Sequence, residues 1–300
     1  MRKLDAPPFD PMKVFRDSVE GLNDSARSQK YLANVVQLTA ANNSYEVANK
    51  SANWVGLPRS ARGNGHALVV GTLSKVDFTE LYDDGMVGSS GRARKVYDDI
   101  LVSTNGHCPA CGGLGTASTL DHYLPKAHYP AYSVFPGNLV PSCKDCNLGK
   151  NALQMTGLGE QPLHAYFDDP KFFRERWVHA EAIREDIISF RFFCSPPAGW
   201  SQTDKERVIG HFRAFSLGRR FRKAAGAAVG LLIDQRRNTL TKLSKDDFQF
   251  HLQHSSNYPL DDLNGWSRTM YACLAATPWF YNADFASPAG HMPGISEAAA

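Results

Sequence analysis

Apolar positions recur at helical spacing along most of this chain. Phe15, Val19 and Leu22 follow Asp10-Pro11, a capping residue with proline at the first helical position, and predict a first helix. Tyr31, Val35 and Leu38 predict a second. Residues 42–65, rich in Asn, Ser, Gly and Pro, read as a loop in which Trp54-Val55-Gly56-Leu57 is an anchor. Two stretches, Leu73-Ser74-Lys75-Val76-Asp77-Phe78 and Leu243-Ser244-Lys245-Asp246-Asp247-Phe248, share a serine with an acid three residues later. That is the mark of a capped helix start, arising twice independently and not by repetition. A Gly-Ser-Ser-Gly segment, Gly88 to Gly91, precedes residues 92–101, where Val96, Tyr97 and Ile100 form one helical face directed at a core.

Shorter patterns interrupt the helices. Leu120 to Pro125 reads as a strand ended by proline, which sends Asp121 and His122 to opposite sides. Asn138-Leu139-Val140-Pro141 is a second extended piece, and Asn147 leads into a helix start weakened by Gly149. Residues 186–193 are β-branched and aromatic enough for one or two strands. Val208, Phe212 and Phe215 then mark a helix, followed by another over residues 219–238. The fold class expected is α+β, predominantly α. The expected segments are 1–97 (helical), 98–155 (a small core), 156–282 (mainly helical with a basic face) and 283–300 (a loosely ordered tail).

Charge adds one constraint. With 33 Lys and Arg against 30 Asp and Glu, the net charge is only +3, so nucleic-acid binding would have to rest on a local patch. Lys205, Arg207, Arg213, Arg219, Arg220, Arg222, Lys223, Arg236 and Arg237 gather in one region, either as a phosphate-contacting face or as a solvated helix surface. No apolar run approaches the roughly 20 residues of a membrane span. The first ten residues lack the apolar core of a signal peptide. A soluble, cytoplasmic chain without a membrane partner is expected.

The chemistry concentrates between Cys108 and Lys150. Two Cys-x-x-Cys pairs, Cys108/Cys111 and Cys143/Cys146, flank Asp121-His122. Such pairs turn two thiolates toward one point, and two of them supply the four tetrahedral ligands that Zn²⁺ prefers. Two disulfides or free thiols are the alternatives, disfavoured without a sign of secretion. Asp is a hard oxygen ligand, and His titrates near neutrality.

In their order, Cys-x-x-Cys, Asp-His, Asn-Leu-Val-Pro, Cys-x-x-Cys-Asn and Lys resemble the HNH endonucleases of bacterial type. These belong to the ββα-metal (His-Me finger) superfamily, in its branch with a structural zinc knuckle. The resemblance covers residues 98–155 and implies a ββα-metal core that hydrolyses DNA phosphodiester bonds. It implies His122 as the general base, and Asp121 and Asn147 as holders of a catalytic Mg²⁺ or Mn²⁺. Asn138 would tie down the loop carrying the histidine. Lys150 would join His122 and Asn138 in the catalytic set and, like Lys126, contact phosphate. Arg219, Arg220, Arg222 and Lys223 are further nucleic-acid contact candidates, from the basic cluster. One site per chain predicts nicking by a monomer, with a homodimer or successive nicks needed to cut both strands. Relatives of this type include anti-phage defence effectors, some working beside an ATPase subunit, so a second protein subunit is an expected partner. The alternative is a non-catalytic, zinc-stabilised module that binds nucleic acid or docks a partner.

Overall fold

The computed structural model describes residues 1–150, 155–185 and 187–285. It divides into two compact units, one of Lys3–Asp169 and the other of Met1–Arg2 with the residues from Pro170 onward. Among the described residues helix predominates, with three small antiparallel sheets, so the chain is α+β and mostly α.

In the Lys3–Asp169 unit, helix α1 (Pro11–Glu20) starts where expected, because the Asp10 carboxylate accepts a hydrogen bond from the Lys13 amide. Helix α2 (Ser25–Leu32) is capped by Asp24 in the same way. The expected second helix is in fact split. Asn34 breaks it by donating from its amide to Lys30 O and to Thr72 Oγ1 while accepting from the Thr72 N–H. Helix α3 (Val35–Ser51) then runs through the first part of the expected loop. Its Leu38, Tyr45 and Ala48 share a buried face, whereas the loop-like Asn43 and Ser44 lie on the exposed one. Local composition missed this because only the burial of one face decides it. Trp54 is an anchor, with its indole N–H bonded to Asn49 and its backbone N–H to Gln161.

Strands β1 (Leu68–Val70) and β2 (Leu73–Ser74) lead into α4 (Lys75–Glu80), which opens with the expected capping box of Ser74 and Asp77. A π-helical turn, Leu81–Val87, joins α4 to the region before α5 (Arg92–Val102). Gly85 of that turn lies against α1 so closely that a Cβ there would stand 2.3 Å from Ser18 O. Strands β3 (Thr119–His122) and β4 (Leu139–Ser142) pair antiparallel, with Asp121 opposite Val140 and His122 opposite Leu139. Helix α6 (Lys144–Lys150) follows, beginning before Asn147 and not after it. Phe15, Leu38, Tyr45, Phe78, Leu81, Ile100, Leu124 and Leu139 bury into one cluster. The expected segments 1–97 and 98–155 therefore share a single core.

The second unit contains α7 (Lys171–Arg174), the hairpin β5 (Val178–Ile183) and β6 (Ser189–Cys194), then α8 (Gln202–Ala214) and α9 (Leu217–Asn238). It closes with α10 (Lys245–Ser255), α11 (Trp266–Ala275) and α12 (Pro278–Tyr281). Strand β6 occupies the end of the expected strand window. Its partner lies upstream, in a His-Ala-Glu-Ala stretch with no intrinsic strand preference. Helix α9 packs on β6, and α10 on α11, around Phe190, Phe221, Phe248, Met270 and Phe280. Ser244 and Asp247 form the second expected capping box. Among the described residues, no helix is long and apolar enough to cross a membrane. Residues 151–154 of the expected core segment, Asp186, and all but residues 283–285 of the expected tail lie outside the described residues.

Candidate metal centre and cleft

The four cysteines converge. Cys108 precedes a short 3-10 turn that holds Cys111, while Cys143 and Cys146 sit just before and within the first turn of α6. The first knuckle closes on Gly112 and Gly113, both left-handed, and a side chain at Gly113 would collide with the His107 ring. All four cysteines are buried and outside any disulfide, with their sulfurs within 4.8 Å of one another. The Cys111 and Cys143 sulfurs are 3.9 Å apart. Four sulfurs bound to one Zn²⁺ at about 2.3 Å would stand roughly 3.8 Å apart, so the cluster fits a structural zinc site. The Gly115 N–H also points at Cys111 Sγ, at 3.4 Å, as suits a sulfur carrying negative charge. Such an ion would pin β4 and α6 to the loop before β3.

That arrangement sets a second group of residues. Along β3 burial alternates, with Leu120 and His122 buried and Thr119 and Asp121 partly open. His122 Nε2 lies 2.8 Å from Ser133 O. A carbonyl only accepts, so Nε2 carries the proton and Nδ1 keeps its lone pair. Tyr82 packs edge-on against the imidazole at 4.5 Å between ring centroids. Burial, opposed by the Ser133 hydrogen bond and aided by the nearby Lys126 and Lys150, pulls the His122 pKa down to about 3.

Lys150 Nζ lies 2.5 Å from Asp121 Oδ2 and also donates to His122 O. Both side chains are mostly buried. Burial raises the Asp121 pKa against the pull of Lys150, and burial lowers that of Lys150 against the pull of Asp121. Asn138, fully buried, accepts at Oδ1 from the Leu124 N–H at 2.8 Å and from Tyr45 Oη at 3.3 Å, and donates to Leu124 O and Tyr132 O. It thereby ties the end of β3 to the segment that presents the Ser133 carbonyl. Lys126 Nζ is 2.8 Å from Asp83 and 4.8 Å from the Tyr82 ring centre.

Asp121, His122, Asn147, Lys126 and Lys150 line one cleft of about 410 Å³, together with Tyr82, Thr119, Leu120, Pro125 and Ala127. Asn138 stands behind it as a support. Among the described residues, only the cysteines form a cluster of three or more His, Cys, Asp or Glu with metal-ligand geometry. Arg219, Arg222 and Lys223 are exposed on α9 in the other unit, while Arg220 is partly buried and donates to Phe215 O. Sequence reasoning missed Tyr82, Ser133 and Tyr45. Tyr82 and Tyr45 come from the N-terminal helical segment, and Ser133 acts through its backbone, which carries no residue signature.

Over 294 residues, 94% of this chain, the sequence is 32% identical to Protein ea31 of Escherichia phage lambda, and the match covers 99% of that protein. No family model matches the chain, and no solved structure does.

Proposed function

We propose that this chain, which belongs to the family of the phage lambda protein Ea31, is a metal-dependent endonuclease of the HNH, ββα-metal type that hydrolyses DNA phosphodiester bonds. The observation that carries the reading is the pairing of a buried imidazole with a carboxylate on one strand, both open to one cleft. Nε2 of His122 is held by Ser133 O, so Nδ1 is left as the base, beside Asp121 and Asn147. A binding module has no need of a histidine fixed in one tautomer next to a hard oxygen donor.

The donor set suits the metal that the reading requires. Asp121 and Asn147 offer only oxygen, which favours Mg²⁺ or Mn²⁺, and two protein ligands leave room for water and phosphate oxygens. When bound, the ion would act as a Lewis acid at the scissile phosphate. His122 Nδ1 takes the proton of the attacking water, and the Ser133 carbonyl steadies the resulting imidazolium through Nε2–H. Lys150 pairs with Asp121 and holds its carboxylate in place, and Lys126 stands at the rim for a phosphate oxygen. Asn138 keeps the carbonyl and the strand in register. Zinc has a separate task, holding the strands and α6 together.

The test is cleavage of supercoiled plasmid with Mg²⁺, Mn²⁺ or EDTA. Metal-dependent nicking supports the reading, and its absence in zinc-loaded, folded protein favours the non-catalytic alternative. A relative from a phage gives the expected role in defence against phages no support.

A further inference from the structure

We propose that the outward face of α9 is a docking surface for the phosphate backbone of duplex nucleic acid. The choice of partner rests on the nuclease reading, while the surface itself is argued from the second unit alone. Between Glu206 and Asp234 the chain has no acidic residue and six basic ones. The fold sorts those six. Arg207 is buried, with its guanidinium 5.4 Å from the Phe172 ring centre, and Arg220 is spent on Phe215 O. Arg236 and Arg237, beyond Asp234, bond the carbonyls of Leu240, Leu243 and Phe285 and so brace the end of the helix.

What remains exposed is Arg219, Arg222 and Lys223 on α9, with Arg213 in the last turn of α8. No ion pair among the described residues involves any of the four, in contrast to Arg191, which is paired with Glu181 in the same unit. At spacings of three and four, Arg219, Arg222, Lys223, Gly226, Ala227 and Gly230 form one stripe. Beyond the cations the stripe is nearly bare: a Cβ placed at Gly226 or Gly230 would meet nothing within 4 Å. A cationic end followed by a low, small-residue surface lets a helix lie close to a polyanion while its long side chains reach phosphates. A second copy of this chain fits worse, since a two-fold contact on this face would set the same cations against each other.

The test is anisotropy of a fluorescein-labelled 24-base-pair duplex, without added divalent metal, across a series of salt concentrations. The variants are the triple R219A/R222A/K223A and, separately, Arg191→Ala, whose guanidinium is paired with Glu181. Wild type and Arg191→Ala are expected to bind alike. The triple variant should bind roughly 10-fold or more weakly, with the slope of log K against log[salt] flatter by about 2 to 3, since each released phosphate contact contributes about 0.9. Equal binding and slope in the triple variant, or no duplex binding by wild type, would overturn the proposal. Plasmid cleavage is scored independently. Inactive protein whose duplex binding still depends on α9 would sink the nuclease reading alone, whereas active protein with unchanged triple-variant binding would sink the docking surface alone.

Discussion

The Nε2 atom of His122 lies 2.8 Å from the backbone carbonyl oxygen of Ser133. The bond fixes which ring nitrogen bears the proton, and with it which nitrogen faces the chemistry. In a ¹⁵N spectrum of the protein at pH 7, His122 is expected as the neutral Nε2–H tautomer. An Nδ1–H tautomer would remove the base from the proposed mechanism.

Burial of that ring also sets a pH dependence. The folded pKa of about 3 lies below the ordinary value of 6.5. Below pH 6.5 the unfolded chain therefore takes up a proton that the folded chain refuses, and stability falls as the pH drops from 6.5 toward 3. The limiting slope from this one group is roughly 1.4 kcal/mol per pH unit. Urea melts at pH 7, 6 and 5 should show this loss in wild type and less of it in His122→Gln. Equal pH dependence in the two would place the acid sensitivity elsewhere.

Removing one zinc ligand should dismantle the centre. Cys146→Ser is expected to lose bound zinc and to unfold much of the Lys3–Asp169 unit, because structural zinc contributes on the order of 10 kcal/mol in small domains. Zinc content per chain and circular dichroism measured together check this. A Cys146→Ser protein with full zinc and an unchanged melt would contradict the assignment.

Asn138 makes its hydrogen bonds in a fully buried position. Asn138→Ala leaves the Leu124 amide and the Leu124 and Tyr132 carbonyls without that partner, a loss of roughly 2 to 4 kcal/mol. Thermal denaturation reads the cost. A loss under about 0.5 kcal/mol would show that the loop is held by other contacts.

Asp121 and Lys150 are a buried pair, and one partner without the other should be worse than neither. Lys150→Met is expected to destabilise by roughly 2 to 4 kcal/mol, with part of that recovered in the double variant Asp121→Asn/Lys150→Met. Additive single effects in the cycle would mean that the pair is not coupled.

Much of this site could be read from residue order alone. The cysteine spacing pointed to the cluster, and Leu120 to Pro125 pointed to a strand carrying Asp121 and His122, whose burial alternates although both line one cleft. Both readings depend on local spacing, which sequence displays directly. The helix inside residues 42–51 did not show, because its Asn and Ser disguise a buried stripe that exists only once Tyr45 has a core to enter. Nor did the role of Tyr82 against His122, which joins residues forty positions apart. The basic cluster showed as composition only. Burial at Arg207, and carbonyl bonds at Arg220, Arg236 and Arg237, divide it into structural and exposed cations.

The most direct test of the central claim is plasmid nicking by wild type and by His122→Ala, with Mg²⁺ or Mn²⁺ added and zinc content and melting followed in parallel. The account predicts that wild type nicks only with added metal, and that the variant keeps its zinc and its fold while its rate falls by about 10²- to 10⁴-fold. Nicking by the folded His122→Ala protein at the wild-type rate would contradict it.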